Sequence, residues 1–214
     1  MIMLNNYYIQ KNLKGLGYYK GKIDKNIGPQ SKDAILHFQQ DFNLRCDSIY
    51  GKETDNCLQQ VVKECQVILG TKPDGMWGND TESKYQKLNN IKYIKRSELA
   101  CHCGCGANRM DIRLVKILDD IRAYYNKPII LTSPVRCISN NKKCGGKSNS
   151  WHIGGTDTNG GWHNKACDFY VVDVKVTELL NHCIDLRNQG KIRYTYTNDT
   201  NMKGVVHIDI GGIR

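Results

Sequence analysis

"VVHIDI", residues 205–210, alternates apolar and polar side chains over its length. On a β-strand successive side chains point to opposite faces, so Val206, Ile208 and Ile210 share one face, and His207 and Asp209 the other. A strand that buries three branched residues holds its opposite face rigid. A histidine and an aspartate fixed there suit metal ligation and proton chemistry. Upstream, "KACDFYVV" (165–172) has the same texture, with Ala166, Asp168 and Tyr170 on one face. An aspartate in so apolar a strand is costly unless it is paired or bound to a metal.

Around these strands the helical period takes over. Leu114, Leu118, Ile121 and Tyr125 form one stripe, which predicts a helix over about 111–126 that Pro128 closes. IILT (129–132) reads as a short buried strand. A second helix is expected over about 176–189, with Val176, Leu179, Leu180 and Cys183 inward and Gly190 as its stop. Helices mixed irregularly with short strands predict an α+β domain over residues 91–214.

Two further histidines lie in "SNSWHIGGTDTNGGWHNKACDF" (148–169). Taken singly, His152, Asp168 and His207 each read most simply as a satisfied polar core group. Together they supply two imidazoles and one carboxylate, a set suited to zinc with a fourth position left for water. His163, five residues before Asp168, is the rival to His152. Nearby, CHCGC (101–105) alternates thiols. With Cys137 or Cys144 it could hold a second, structural ion, but C-x-C-x-C is not the C-x-x-C spacing of zinc ribbons. The favoured expectation is a cysteine-rich loop without metal.

The first half is built differently. An acidic residue is followed three positions later by a bulky apolar one, then Gly, then Ser or Thr three beyond. The pattern occurs as DKNIGPQS from Asp24, DSIYGKET from Asp47 and DGMWGNDT from Asp74. Each copy reads as a tight turn into a helix, with Gly supplying an unusual backbone geometry and Ser or Thr near the helix start. Ile9, Leu13 and Leu16, ended by Gly17, form one helical stripe; Ala34, Ile35, Phe38 and Phe42 form another. A small all-α module is expected over 1–88.

Bulk properties narrow the classes. The chain has 214 residues, 40% hydrophobic and 24% charged, enough to bury a real core in one large domain or two small ones. No apolar run reaches the about 18 residues of a membrane span, and the N-terminus lacks the pattern of a signal peptide. Synthesis in the cytoplasm, without a secretory leader, is the expectation. Ten cysteines then read as reduced thiols, with Cys46, Cys57, Cys65 and Cys183 as small hydrophobes. The net charge of +10 is concentrated in residues 91–214, which carry 19 Lys+Arg against 11 Asp+Glu. That excess calls for an anionic partner. No nucleic-acid reader motif accompanies it, so nucleic acid is not the expected partner.

Two resemblances sharpen the picture. "IQKNLKGLGYYKGKIDKNIGPQSKDAILHFQQDFNL" with "YGKETDNCL" resembles a peptidoglycan-binding domain of the kind fused to bacterial wall hydrolases. "RSELACHCGCG", "KPIILTSPVRCISNNKKCGGKSNSWH", "KACDF" and "VVHIDIGG" resemble the zinc D-alanyl-D-alanine carboxypeptidases, the VanY-like, hedgehog-type group that includes phage endolysin peptidases. Ser133, Arg136, Cys137, Asn141, Gly145, Gly146, Asn149, Ser150, His152, Ala166, Asp168, His207 and Asp209 fall on that group's pattern.

The resemblance implies a peptidoglycan hydrolase in which His152, Asp168 and His207 bind zinc and zinc-bound water attacks a stem or cross-link peptide. Arg136 would meet the substrate carboxylate or the oxyanion, with Ser133 and Ser150 at the substrate. The D,D- or L,D-type of the reaction stays open. A D,D-carboxypeptidase releasing terminal D-Ala and an inactive wall-binding protein are the alternatives. Three departures stand out. Pro134-Val135 replaces Gly-Tyr before Arg136, residues 154–163 read as an insertion between the first two ligands, and Gly204 stands where several relatives carry a base. Asp209 is the substitute candidate for that base or, equally, an orienter of a ligand.

Overall fold

The computed structural model describes residues 3–154, 163–197 and 204–211. They divide into two compact units, one built on residues 3–90, with which His163 groups, and one on residues 91–154, 164–197 and 204–211.

The first unit is all-α: α1 (Asn6–Gly15), α2 (Pro29–Asp41), α3 (Lys52–Leu69) and α4 (Asn79–Gln86). Asn5 caps α1 by accepting the Tyr8 N–H. The expected stripes face inward. Ile9, Leu13, Leu16, Ala34, Ile35 and Phe38 are buried with Leu58, Val62, Cys65 and Leu69 of α3, while Phe42 is only half-buried.

Each repeated turn is fastened by a buried glutamine that the motif does not contain. Gln39 Nε2 reaches Asp47 Oδ1 (3.0 Å), Ile49 O (3.0 Å) and Thr54 Oγ1 (3.1 Å), and its Oε1 accepts from the Asp47 and Ser48 N–H groups. Gln10 does the same for Asp24, Asn26 and Ser31. Gln66 serves Asp74, Met76 and Thr81. The repeat is therefore a hydrogen-bonded socket. The Asp and the Ser or Thr are its walls and a helical Gln amide its plug.

The glycine expectation needs correction. Gly28, Gly51 and Gly78 are extended N-caps with ordinary negative φ. The left-handed position falls instead on the residue after the Asp, namely Lys25 (φ 65°), Ser48 (φ 60°) and Gly75 (φ 78°). The Gln Oε1 accepts the N–H of those same three residues, which helps hold the strained turn.

Gln39→Leu leaves several buried polar groups without partners and is expected to destabilise this unit by about 3 kcal/mol. Amide exchange across α2 and α3 reads the effect. Unchanged protection there would mean that the glutamine is not the fastener.

The second unit is α+β. A 3-10 turn (Arg96–Leu99) leads to α5 (Ile112–Tyr125), β1 (Ile129–Ser133), α6 (Ile138–Lys143), β2 (Ala166–Val171), α7 (Val176–Asn188), β3 (Tyr194–Tyr196) and β4 (Val206–Asp209). The sheet order is β1-β2-β4-β3, antiparallel throughout. Phe169, Val206 and Ile208 are fully buried, and α5 and α7 pack against the sheet with Leu114, Leu118, Ile121, Leu179 and Cys183 inward. Val176, Leu180 and Tyr125 are only half-buried. β1 is an edge strand that alternates, with Ile130 41% exposed, so IILT is not buried throughout as expected.

All ten cysteines are free thiols. Cys65 and Cys183 are buried, as small hydrophobes should be. Cys57 is half-buried, and Cys46 is exposed because it lies in the irregular chain after α2, outside any helix.

Candidate metal centre

Register builds the site. Asp168 on β2 pairs with His207 on β4, Ser133 on β1 pairs with Asp168, and Tyr196 on β3 pairs with His207. One row across the sheet thus carries Ser133, Asp168, His207 and Tyr196. Alternation puts Asp168, His207 and Tyr196 on the face opposite Phe169, Val206 and Ile208, and a register shift between Leu131 and Ser133 brings Ser133 opposite Asp168.

His152 comes from irregular chain, yet it is held as firmly as a strand residue. Its carbonyl accepts the Arg136 N–H (2.8 Å) and the Asn164 Nδ2–H (2.9 Å), and the Gly154 N–H donates back to Arg136 O. These bonds make a short parallel bridge between Arg136 and Ile153. Gly154 is required for the close approach. A Cβ there would lie 2.8 Å from Arg109 O and 2.7 Å from Val135 Cγ1. His152 Nδ1 is buried without a hydrogen-bond partner among the described residues, so backbone contacts rather than a hydrogen bond at Nδ1 hold the back of this imidazole. The turn before it is shaped by Asn141, whose Nδ2 donates to Lys147 O, and by Gly145 in the left-handed region.

The three groups converge. His207 Nδ1 lies 2.7 Å from Asp168 Oδ1, and His152 Nε2 lies 3.4 Å from both Asp168 Oδ1 and His207 Nδ1. A tetrahedral ion held about 2.0–2.1 Å from its donors separates them by roughly 3.3 Å. Two separations match that value, and the third is a hydrogen bond that ligation would open slightly. The donor set therefore fits one divalent ion, with all three atoms mutually within 4.8 Å.

Electrostatics follow from the packing. Burial opposes ionisation of Asp168, but hydrogen bonds and charge from His152 and His207 outweigh it and hold the carboxyl well below the usual range. Burial likewise opposes protonation of His207, yet Asp168 and Asp209 on either side raise its pKa above the ordinary value. Asp168 is therefore already a carboxylate, and the proton an ion would displace on binding is that of the His207 ring.

The remaining expected site residues take distinct places. Arg136 donates from Nη2 to Asp168 Oδ2 (3.1 Å) and from Nε to Ser133 Oγ (2.6 Å), leaving Asp168 Oδ1 for the imidazoles. Ser150 Oγ accepts the His152 N–H at 3.3 Å. Both serine hydroxyls are thus engaged in framing Arg136 and His152. Asp209 Oδ2 is 3.3 Å from His207 Nε2, across the ring from the Asp168 contact. Asp209 thus lies behind the His207 ring, on the side away from Asp168. His163 is outside the cluster; it is buried with its ring stacked on Tyr85, centroids 5.1 Å apart. Of the 154–163 insertion, residues 155–162 lie outside the described residues.

Tyr196 escaped the sequence reading. Its ring lies 4.8 Å from the His207 ring, and burial followed by the Asp168 charge raises its pKa, so the phenol keeps its proton. The strand supplying it is three residues long, too short for alternation to announce it.

Comparison with known proteins gives three matches. Residues 92–209, more than half of the chain, match the family described as Peptidase M15. Residues 7–58 match a putative peptidoglycan binding domain. An N-acetylmuramoyl-L-alanine amidase of Mycobacterium tuberculosis is 37% identical over 46 residues, which is 22% of this chain and only 11% of that protein.

Proposed function

Because the chain belongs to the Peptidase M15 family, we propose that it is a zinc-dependent peptidoglycan hydrolase that cuts stem or cross-link peptides. Residues 1–88 would hold the wall and residues 91–214 would carry the chemistry. The observation that carries this reading is the convergence of His152 Nε2, Asp168 Oδ1 and His207 Nδ1 on one face of the sheet. When bound there, zinc lowers the pKa of a water and polarises a carbonyl.

The chain's own residues supply the rest. Arg136 fixes Asp168 through Oδ2, and its remaining guanidinium donors are available to a substrate carboxylate or a developing oxyanion. Tyr196, protonated beside His207, donates its O–H toward the same carbonyl oxygen. Asp209 takes the Nε2 proton of His207 as a hydrogen bond, which fixes the tautomer that presents Nδ1 to the ion. Tethering through the first unit raises local substrate concentration without changing the site. The basic charge suits the anionic wall. Among the described residues no helix is long and apolar enough to cross a membrane, and delivery to the wall at phage-type lysis is part of the proposal.

Asp209→Ala separates orienting from proton abstraction. An orienting role predicts about 10–100-fold weaker zinc retention together with the fall in activity. Unaltered zinc affinity with lost activity would restore Asp209 as the base. Tyr196→Phe removes one oxyanion donor and is expected to lower kcat about tenfold or more at unchanged zinc content. A kcat equal to that of the unmodified chain removes Tyr196 from the mechanism.

Digestion of purified walls followed by mass analysis of the products tests the whole reading. Chelator should stop the reaction, added zinc should restore it, and cross-link or stem fragments should appear. Free D-Ala as the sole product means a carboxypeptidase. No product at all means a wall-binding protein without activity.

A further inference from the structure

A second group of metal-ligating side chains lies away from the triad. Cys101, Cys103, Cys105 and Cys137 bring their four sulfurs within 4.8 Å of one another. Cys101 Sγ is 3.4 Å from Cys103 Sγ, which is 3.6 Å from Cys137 Sγ. A zinc ion with Zn–S bonds of about 2.3 Å separates tetrahedral thiolates by roughly 3.8 Å. A disulfide would need about 2.05 Å. The spacing is that of sulfurs around one ion.

The backbone explains how an unusual spacing achieves this. Residues 101–107 form a closed loop, with the Cys101 N–H bonded to Ala107 O (2.7 Å) and the Gly104 N–H to Cys101 O (3.1 Å). Gly104 (φ 77°) and Gly106 (φ 78°) take left-handed conformations that bend alternate thiols inward. Three N–H groups point at sulfur: Cys137 N and Asn140 Nδ2 to Cys101 Sγ, each 3.4 Å, and Asn140 N to Cys137 Sγ, 3.3 Å. Donors aimed at sulfur stabilise thiolates, the form a metal requires. The fourth ligand comes from the N-cap of α6, thirty-odd residues away in sequence, and is Cys137 rather than Cys144. Cys144 is exposed and outside the group.

We propose that these four cysteines bind one structural zinc ion that ties the 101–107 loop to the start of α6. This proposal departs from the metal-free loop expected from the C-x-C-x-C spacing. Cys137 directly follows Arg136, so this ion would also fix the residue that grips Asp168. On binding, each thiol loses its proton to solvent and no electron is transferred, so no oxidant is needed. The site stands independently of the catalytic reading, since none of its ligands belongs to the triad.

Elemental analysis of the full chain purified without chelator tests it. Two zinc ions per chain are expected, falling to one in Cys103→Ser and, independently, in Asp168→Asn. Cobalt exchanged for zinc should give thiolate charge-transfer absorption that persists in Asp168→Asn and fades in Cys103→Ser. Should the serine variant fold poorly, alkylation of the unaltered chain decides the matter. The four thiols should be protected until chelator is added. One zinc per chain with all four thiols freely alkylated, or a disulfide within the group by mass, overturns the proposal. Failure of the catalytic reading looks different: Asp168→Asn then retains every zinc ion found in the unaltered chain.

Discussion

Asp168→Ala is expected to lower wall hydrolysis by on the order of a thousandfold or more, the several kcal/mol of transition-state stabilisation that a bound ion supplies. The size follows from how many groups depend on this carboxylate. Oδ1 faces both imidazoles and Oδ2 receives Arg136, so its loss removes the only anionic donor of the triad and frees the guanidinium. Two buried imidazoles then face each other at 3.4 Å with nothing between to attract a cation. Zinc content should fall together with activity. Asp168→Asn is the sharper companion, because it keeps the shape and removes the charge. An asparagine variant that keeps both its zinc and its rate would defeat the proposed centre.

The second large effect is expected at Arg136→Lys, a change that keeps the charge. Arg136 uses two arms of a planar fork at once, Nε on Ser133 and Nη2 on Asp168. A lysine ammonium is a point charge on a flexible stem and cannot hold both partners while offering further aligned donors to substrate. A fall of about 10²–10³-fold in kcat is expected, as for loss of an oxyanion donor, with zinc still bound by the three unchanged ligands. Rates and zinc per chain measured on the same sample separate the outcomes. A lysine variant that works at full rate would show that charge alone suffices and that the fork has no role.

These residues also show how far a one-dimensional reading reaches. The alternation of VVHIDI placed His207 and Asp209 on the polar face of a strand, and the fold bears that pairing out, with Val206 and Ile208 buried behind them. The three turn copies were legible because each repeats its residues at fixed offsets. Their fasteners were not. Gln10 precedes its Asp by fourteen positions, whereas Gln39 and Gln66 precede theirs by eight. The shared geometry exists only once helix and turn are folded against each other. The glycine in the motif drew attention to the wrong residue, since Ser48 and Lys25 adopt the left-handed conformation without a glycine to mark it.

Local order thus determined the two classes of unit and the strand faces that carry Asp168 and His207, because period-2 and period-3.6 burial are properties of neighbours in the chain. Partnership across the fold belonged to the folded chain. Sheet register set Tyr196 beside His207 and Ser133 beside Asp168, a single backbone bridge tied Arg136 to His152, and the start of α6 brought Cys137 rather than Cys144 to the thiol loop. Each of these depends on which backbone hydrogen bonds form between distant segments, and residue spacing alone carries no record of that choice.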